Sequence, residues 1–151
     1  MTLQTSIHLN FRGQARAALD FYQSVFGGST TITTYHELGM PQDAPGAENV
    51  VFGQVIADNG FHVMAYDIPG EQDGKIAGGG STRRENGITL TDQACFVSVA
   101  GETIEELGRY WNALAADAVI VEPLAASAWS AGFGMLTDRF GVTWSLTVVT
   151  G

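Results

Sequence analysis

The sequence predicts an α+β fold made of two copies of one unit, a strand, a helix and three further strands, and three observations carry that prediction. Apolar and polar residues alternate with period two in short runs near both ends of the chain. Two stretches with apolar residues at helical spacing each follow such a run. The order of elements repeats, down to an aromatic pair on each helix, Phe21-Tyr22 in the first and Tyr110-Trp111 in the second. Two βαβββ modules, about residues 5–67 and 92–150, are expected to form one domain over residues 1–151, with residues 68–91 as a glycine-rich linker. Their strands would make a curved mixed sheet with the helices on its convex side, so that the polar strand faces line a cavity.

Residues 6–11 place Ile7, Leu9 and Phe11 on one face and His8 and Asn10 on the other, a half-buried strand. Gly13 breaks it. Ala15, Ala18, Leu19, Tyr22 and Phe26 then mark a helix over 14–26 that Gly27-Gly28 stops. Residues 29–37, rich in Thr, Ile and Tyr, predict the second strand. Residues 39–48, with two prolines and two acids, predict a mobile acidic loop. Residues 50–57 and 61–67 are β-type runs on either side of Asp58-Asn59-Gly60, a hairpin signal. Residues 68–87 are too rich in glycine and charge to pack as a core element and predict a linker or lid.

The pattern then recurs. Residues 93–100 are strand-like, and Ile104, Leu107, Trp111 and Leu114 mark a helix within 102–116 that Thr103 and Glu106 open as a capping box. Residues 119–121 predict a short strand, 123–130 a connection, and 132–149 a closing hairpin. In that hairpin Phe133 and Met135, then Val142, Trp144, Leu146 and Val148, alternate about a turn at Asp138-Arg139-Phe140-Gly141. Asp138 can accept backbone N–H bonds from just beyond it, and Gly141 can take a positive φ.

Composition narrows the function. Of 151 residues 45% are hydrophobic and 15% charged, the balance of an ordered globular chain. Seven basic against sixteen acidic residues give a net charge of −9, and the basic residues do not cluster beyond Arg83-Arg84, which disfavours nucleic acid as a partner. One cysteine, Cys95, allows no intrachain disulfide and no cysteine-based zinc cluster. The first residues lack the pattern of a signal peptide and no apolar run reaches the ~20 residues of a membrane helix, so a cytoplasmic location without membrane association is expected. No phosphate loop, dinucleotide fingerprint or Ser-His-Asp ordering is present, and Gly78-Gly79-Gly80 lacks the Lys and Thr of a phosphate loop.

Phe11-Arg12-Gly13, Ala17-Ala18-Leu19-Asp20-Phe21-Tyr22, Val25-Phe26-Gly27-Gly28 and the closing Asp138-Arg139-Phe140-Gly141-Val142-Thr143-Trp144 resemble the opening and ending of the PhnB-like branch of the vicinal oxygen chelate superfamily, the glyoxalase, bleomycin-resistance and dioxygenase-like proteins. The resemblance implies the double βαβββ fold, a site in the sheet cavity and a homodimer. Metal-dependent members hold a divalent ion on four positions, which here fall on His8, on Val63 or Met64, on Ala94 and on Ser145. Only His8 is an ordinary ligand, so no metal and no other cofactor is expected.

The candidate ligand-binding residues are His8, Asn10, Phe52, Gln54, His62, Trp129 and Ser145. His8 is the one catalytic candidate, because an imidazole on an inward strand face can act as a base near neutral pH; the alternative is a hydrogen-bonded structural histidine. His62 either faces the cavity or caps its hairpin. His36 and Glu37 are a ligand pair or a solvated one. Trp129 covers a cavity mouth, or serves the core or a dimer contact, whereas Trp111 and Tyr22 belong to the core. The leading expectation is a protein that binds a small molecule without a metal, with turnover left open. The alternatives are a metal-dependent lyase, isomerase or dioxygenase, and a protein that sequesters a cationic drug. A methyltransferase reading lacks a glycine-rich nucleotide loop.

Overall fold

The structure, a computed structural model, describes residues 2–70 and 81–149. It divides into two compact units, Met1–Lys75 and Ile76–Gly151, and each carries a four-stranded mixed sheet with one helix. Residues 71–80 of the expected linker, including Gly78-Gly79-Gly80, lie outside the described residues.

In the first unit β1 (Ile7–Phe11) leads into α1 (Ala15–Phe26), followed by β2 (Ser29–Thr34), β3 (Val50–Ile56) and β4 (His62–Asp67). The sheet order is β1-β4-β3-β2, with β1 parallel to β4 and the other pairs antiparallel. Alternation sends Leu9, Phe11, Val55, Val63 and Ala65 to the face that α1 covers with Ala15, Ala18, Leu19, Tyr22 and Phe26, all of them buried. Each large apolar side chain so buried contributes about 1.5–3 kcal/mol of transfer free energy.

The start of α1 is capped from a distance. Gln14 makes no side-chain cap, and the carboxylate of Asp67, 1% exposed at the end of β4, accepts from the N–H groups of Gly13 (2.8 Å), Ala15 (3.0 Å) and Val50 (2.9 Å). It satisfies orphan helix donors and places a negative charge at the positive helix end. At the other end, Asn59 donates to the Phe26 carbonyl (2.9 Å) and accepts from Phe61 N–H (3.0 Å), joining the β3–β4 turn to the helix.

The second strand is shorter than its composition predicts. Thr34 Oγ1 accepts from Glu37 N–H and Glu37 Oε2 accepts from Thr34 N–H, both at 3.2 Å. These local bonds compete with the ladder, and the chain turns into a 3₁₀ turn at His36–Leu38. The acidic loop is a series of hydrogen-bonded turns anchored by Ala47, which is 2% exposed.

In the second unit β5 (Arg83–Glu85) and β6 (Ile88–Leu90) form a hairpin, followed by β7 (Val97–Gly101), α2 (Ile104–Leu114), β8 (Val119–Ala125), β9 (Phe133–Thr137) and β10 (Thr143–Val148). The sheet order is β7-β10-β9-β8, with β7 parallel to β10. Trp144, Leu146, Leu136, Leu107 and Leu114 are fully buried. Thr103 caps α2 by accepting from Glu106 N–H (3.1 Å), while Glu106 reaches past the expected partner to Glu102 N–H (3.4 Å). Trp111 is half-buried, closer to the surface than the core position expected of it.

Asp138 organises the closing hairpin. Its Oδ1 accepts from Phe140 and Val142 N–H (2.8 and 3.0 Å), its Oδ2 accepts from the Trp144 indole (2.9 Å), and Gly141 takes a φ of 86°.

Three sequence expectations need correction in this unit. The stretch read as linker contains the β5–β6 hairpin, turned by Asn86 (φ 52°) and Gly87 (φ 77°), a pair suited to the positive φ angles that a tight hairpin demands. β7 starts at Val97, so Ala94 and the exposed Cys95 precede it. β8 runs through Pro123, which an edge strand with register shifts on either side of Glu122 accommodates.

Candidate functional site

Each sheet has a second face that its helix does not cover. In the first unit the register aligns that face in rows: His8, Met64, Gln54 and Thr31 in one, Asn10 beside Tyr66 in the next, and His62, Ile56 and Ser29 in a third. Phe52 lies on the same face, opposite Thr33 and 39% exposed. His8 and Asn10 are exposed, while Gln54, His62, Met64 and Tyr66 are half-buried.

Hydrogen bonds orient the two histidines. His8 Nδ1 lies 3.1 Å from Asn10 Oδ1, a hydrogen bond in which Nδ1 is the donor when the amide oxygen faces it. The His8 ring also meets Tyr66 edge-on, with centroids 5.3 Å apart. His62 Nε2 lies 3.1 Å from Gln54 Oε1. Among the described residues the first sheet thus brings together His8, Asn10, Phe52, Gln54 and His62, and adds Met64 and Tyr66. Such a face can accept and donate hydrogen bonds beside aromatic and thioether surface, as a small-molecule site requires.

In the second unit Ser145 on β10 is paired with Ser98 on β7, and the two hydroxyls are 3.2 Å apart. On the same face Met135 is 2% exposed, and Thr137 and Thr143 share a buried bond of 2.7 Å. The β5–β6 hairpin contacts this face: the Arg84 guanidinium lies 5.0 Å from the Phe133 ring centroid, Arg84 Nη1 donates to Thr89 Oγ1 (2.9 Å), and Thr89 donates to Met135 Sδ (3.6 Å). Sequence reading missed Arg84 and Thr89, although Asn86-Gly87 between them was the available hairpin signal. Trp129 is 95% exposed in the connection before β9, which excludes the core role.

The four positions that a metal would use resolve differently from the sequence reading. Val63 is fully buried, so Met64 is the residue beside His8. Ser98, and not Ala94, is opposite Ser145. An imidazole beside a thioether on the first unit's face and two hydroxyls on the second unit's bring no carboxylate, and neither set fits a hard or borderline divalent ion. Among the described residues no three His, Cys, Asp or Glu side chains group to hold a metal. His36 is engaged with the Met40 carbonyl (2.9 Å) and Glu37 with Thr34.

A third feature is a cavity of about 80 Å³ in the first unit, lined by residues that include Tyr35, Met40, Asn49 and Ile68 and too small for an organic ligand. Tyr35 donates to the Asp67 carbonyl at 2.7 Å. Burial, with the negative charges of Tyr66 and Asp67, raises its phenol pKa above the ordinary value. No helix among the described residues is long and apolar enough to cross a membrane.

Residues 7–146 match the family model described as Glyoxalase/Bleomycin resistance protein/Dioxygenase superfamily. The chain is 29% identical to Protein YjdN of Escherichia coli (strain K12) over 150 residues, covering 95% of this chain and 94% of that one. Among solved structures it is similar to protein PA1353 from Pseudomonas aeruginosa, with a TM-score of 0.73, 26% identity and coverage of 99% and 100% of the two chains. It is also similar to a Bacillus cereus PhnB protein described as a putative 3-demethylubiquinone-9 3-methyltransferase, with a TM-score of 0.69, 26% identity and coverage of 97% and 100%.

Proposed function

The chain belongs to the Glyoxalase/Bleomycin resistance protein/Dioxygenase superfamily, and from that premise we propose that it binds a small molecule on the open sheet faces, as a PhnB-like protein, without a bound metal. The observation that carries this reading is the first sheet's uncovered face. There the His8 and His62 imidazoles, oriented by Asn10 and Gln54, share one face with the aromatic rings of Phe52 and Tyr66. Binding without a metal is supported by the donor chemistry of each face, His8 with Met64 in the first unit and Ser98 with Ser145 in the second. The methyltransferase named for the Bacillus cereus relative is not carried over, because the sequence has no glycine-rich nucleotide loop. A homodimer and a cytoplasmic location complete the reading. The dimer is supported by the edge strand β8, where Val119 is 61% and Ile120 43% exposed.

Phenol, a neutral aromatic with one hydroxyl, tests the binding face. Amide shifts on titration should concentrate at His8, Asn10, Gln54 and Tyr66, and His8→Ala should weaken the response. Shifts scattered over the surface, or none, would overturn the reading. Elemental analysis of protein purified without chelator should find substoichiometric metal; a full equivalent held through His8 would refute the metal-free part.

A further inference from the structure

We propose that the open face of the first unit's sheet takes an elongated, uncharged aromatic molecule with a hydrogen-bonding group at each end. This names the ligand class for the small-molecule reading and rests on it. The face carries two imidazole–amide pairs, His8 with Asn10 and His62 with Gln54, each with nitrogen and oxygen 3.1 Å apart. Each pair uses one ring nitrogen and one amide oxygen, and leaves the other ring nitrogen and the amide nitrogen without a protein partner among the described residues. Those atoms are within a ligand's reach. His8 and Asn10 are exposed, and the half-buried His62 and Gln54 hold no partnerless atom that is closed off from water.

Strand register sets the distance between the pairs. Met64 is opposite His8 on one side and Gln54 on the other, and His62 is two residues before Met64 on the same strand. With neighbouring strands about 4.8 Å apart and alternate residues about 6.6 Å apart along a strand, the centres of the two pairs are about 10 Å apart. A single ring cannot meet both; two joined rings can. Between the pairs the floor is the half-buried thioether of Met64, with Tyr66 beside it and edge-on to His8 at 5.3 Å between centroids. Thioether sulfur and aromatic rings pack favourably against a ligand's rings. Charge selects as well. The chain has sixteen acidic and seven basic residues, yet none is on this face within β1 to β4. Arg12, the next residue of the same alternation, lies past β1 in the bend before α1. An ionised ligand group would give up hydration here without an ion partner, whereas hydroxyl, carbonyl or amide groups are met by the imidazoles and amides.

The test is a titration of isotope-labelled protein with para,para′-biphenol, which has a hydroxyl at each end, and with para-phenylphenol, which has one. Biphenyl dicarboxylate and biphenyl bis(trimethylammonium) supply the charged counterparts of the same length. Biphenol should shift the signals of both pairs and of the Met64 methyl group. It should bind about fivefold more tightly than para-phenylphenol, as one further net hydrogen bond implies, and both charged compounds should bind more weakly than either. In Gln54→Ala the advantage of biphenol over para-phenylphenol should fall away, with a near-wild-type amide spectrum showing that the fold is kept. The comparison in wild-type protein decides the matter even if that variant does not fold. Equal affinity for the two phenols, shifts confined to one pair, or a charged compound binding as tightly as biphenol would overturn the proposal. Phenol bound at this face with no gain for biphenol would overturn it while leaving small-molecule binding intact, and no response to either would remove both.

Discussion

At Asp67 one carboxylate, 1% exposed, serves three backbone N–H groups that are distant from it in sequence. Removing it would leave three donors at the α1 start and the β3 start without an acceptor. We therefore expect Asp67→Ala to destabilise the protein by about 2–4 kcal/mol, read as a lower urea midpoint with an unchanged slope. A loss below about 1 kcal/mol would mean that water replaces the carboxylate. Tyr35 gives a pH-dependent counterpart. Its pKa is raised above the ordinary 10.0, so the native state holds the phenol proton more tightly than the unfolded chain. That contribution is complete below the unfolded pKa and is lost as pH rises through the higher folded value. Tyr35→Phe should be the less stable protein near neutrality, by about 1 kcal/mol for the lost bond to the Asp67 carbonyl, and the gap should narrow in strongly alkaline urea titrations. A gap that stayed constant would dismiss the titration argument.

Among the elements, the pairing of β7 with β10 decides which residues could make a metal site in the second unit. Register puts Ser98 against Ser145 with the hydroxyls 3.2 Å apart, whereas Ala94 precedes the strand. Ser98→His with Ser145→Glu should therefore bind Ni²⁺ measurably more tightly than Ala94→His with Ser145→Glu, because an imidazole and a carboxylate would then converge from adjacent strands. Calorimetry showing the reverse order would indicate that β7 is shifted in register. The β5–β6 hairpin teaches a related lesson. Its sequence is polar because one side contacts the sheet through Arg84 and Thr89, and such contacts need no long apolar run.

For the whole molecule, the exposed apolar residues and the acidic charge make opposing demands. Val119, Ile120 and Trp129 (61%, 43% and 95% exposed) leave apolar surface uncovered, while a net charge of −9 on each chain makes two copies repel. A homodimer should therefore show a light-scattering mass near twice 16.0 kDa at micromolar concentration, and its association should tighten with added salt as the repulsion is screened. Ile120→Glu should shift it toward monomer. A monomer at every salt concentration would remove the dimer.

The sequence by itself determined the elements whose signals are local. Period two placed β1, β3, β4, β9 and β10, helical spacing placed α1 and α2, and Asp138 with Gly141 and Trp144 marked the closing hairpin, because each pattern reflects one element's exposure to core and solvent. It also located His8, Asn10, Phe52, Gln54 and His62, since a residue between two core-facing neighbours must lie on the other face. Tertiary structure alone decided what depends on partners remote in the chain. Asp67 caps a helix that begins 52 residues earlier, Ser98 replaces Ala94 opposite Ser145, and Arg84 lies over Phe133. Such pairings follow from strand register and packing, and a side chain's type does not specify which distant backbone or ring will meet it.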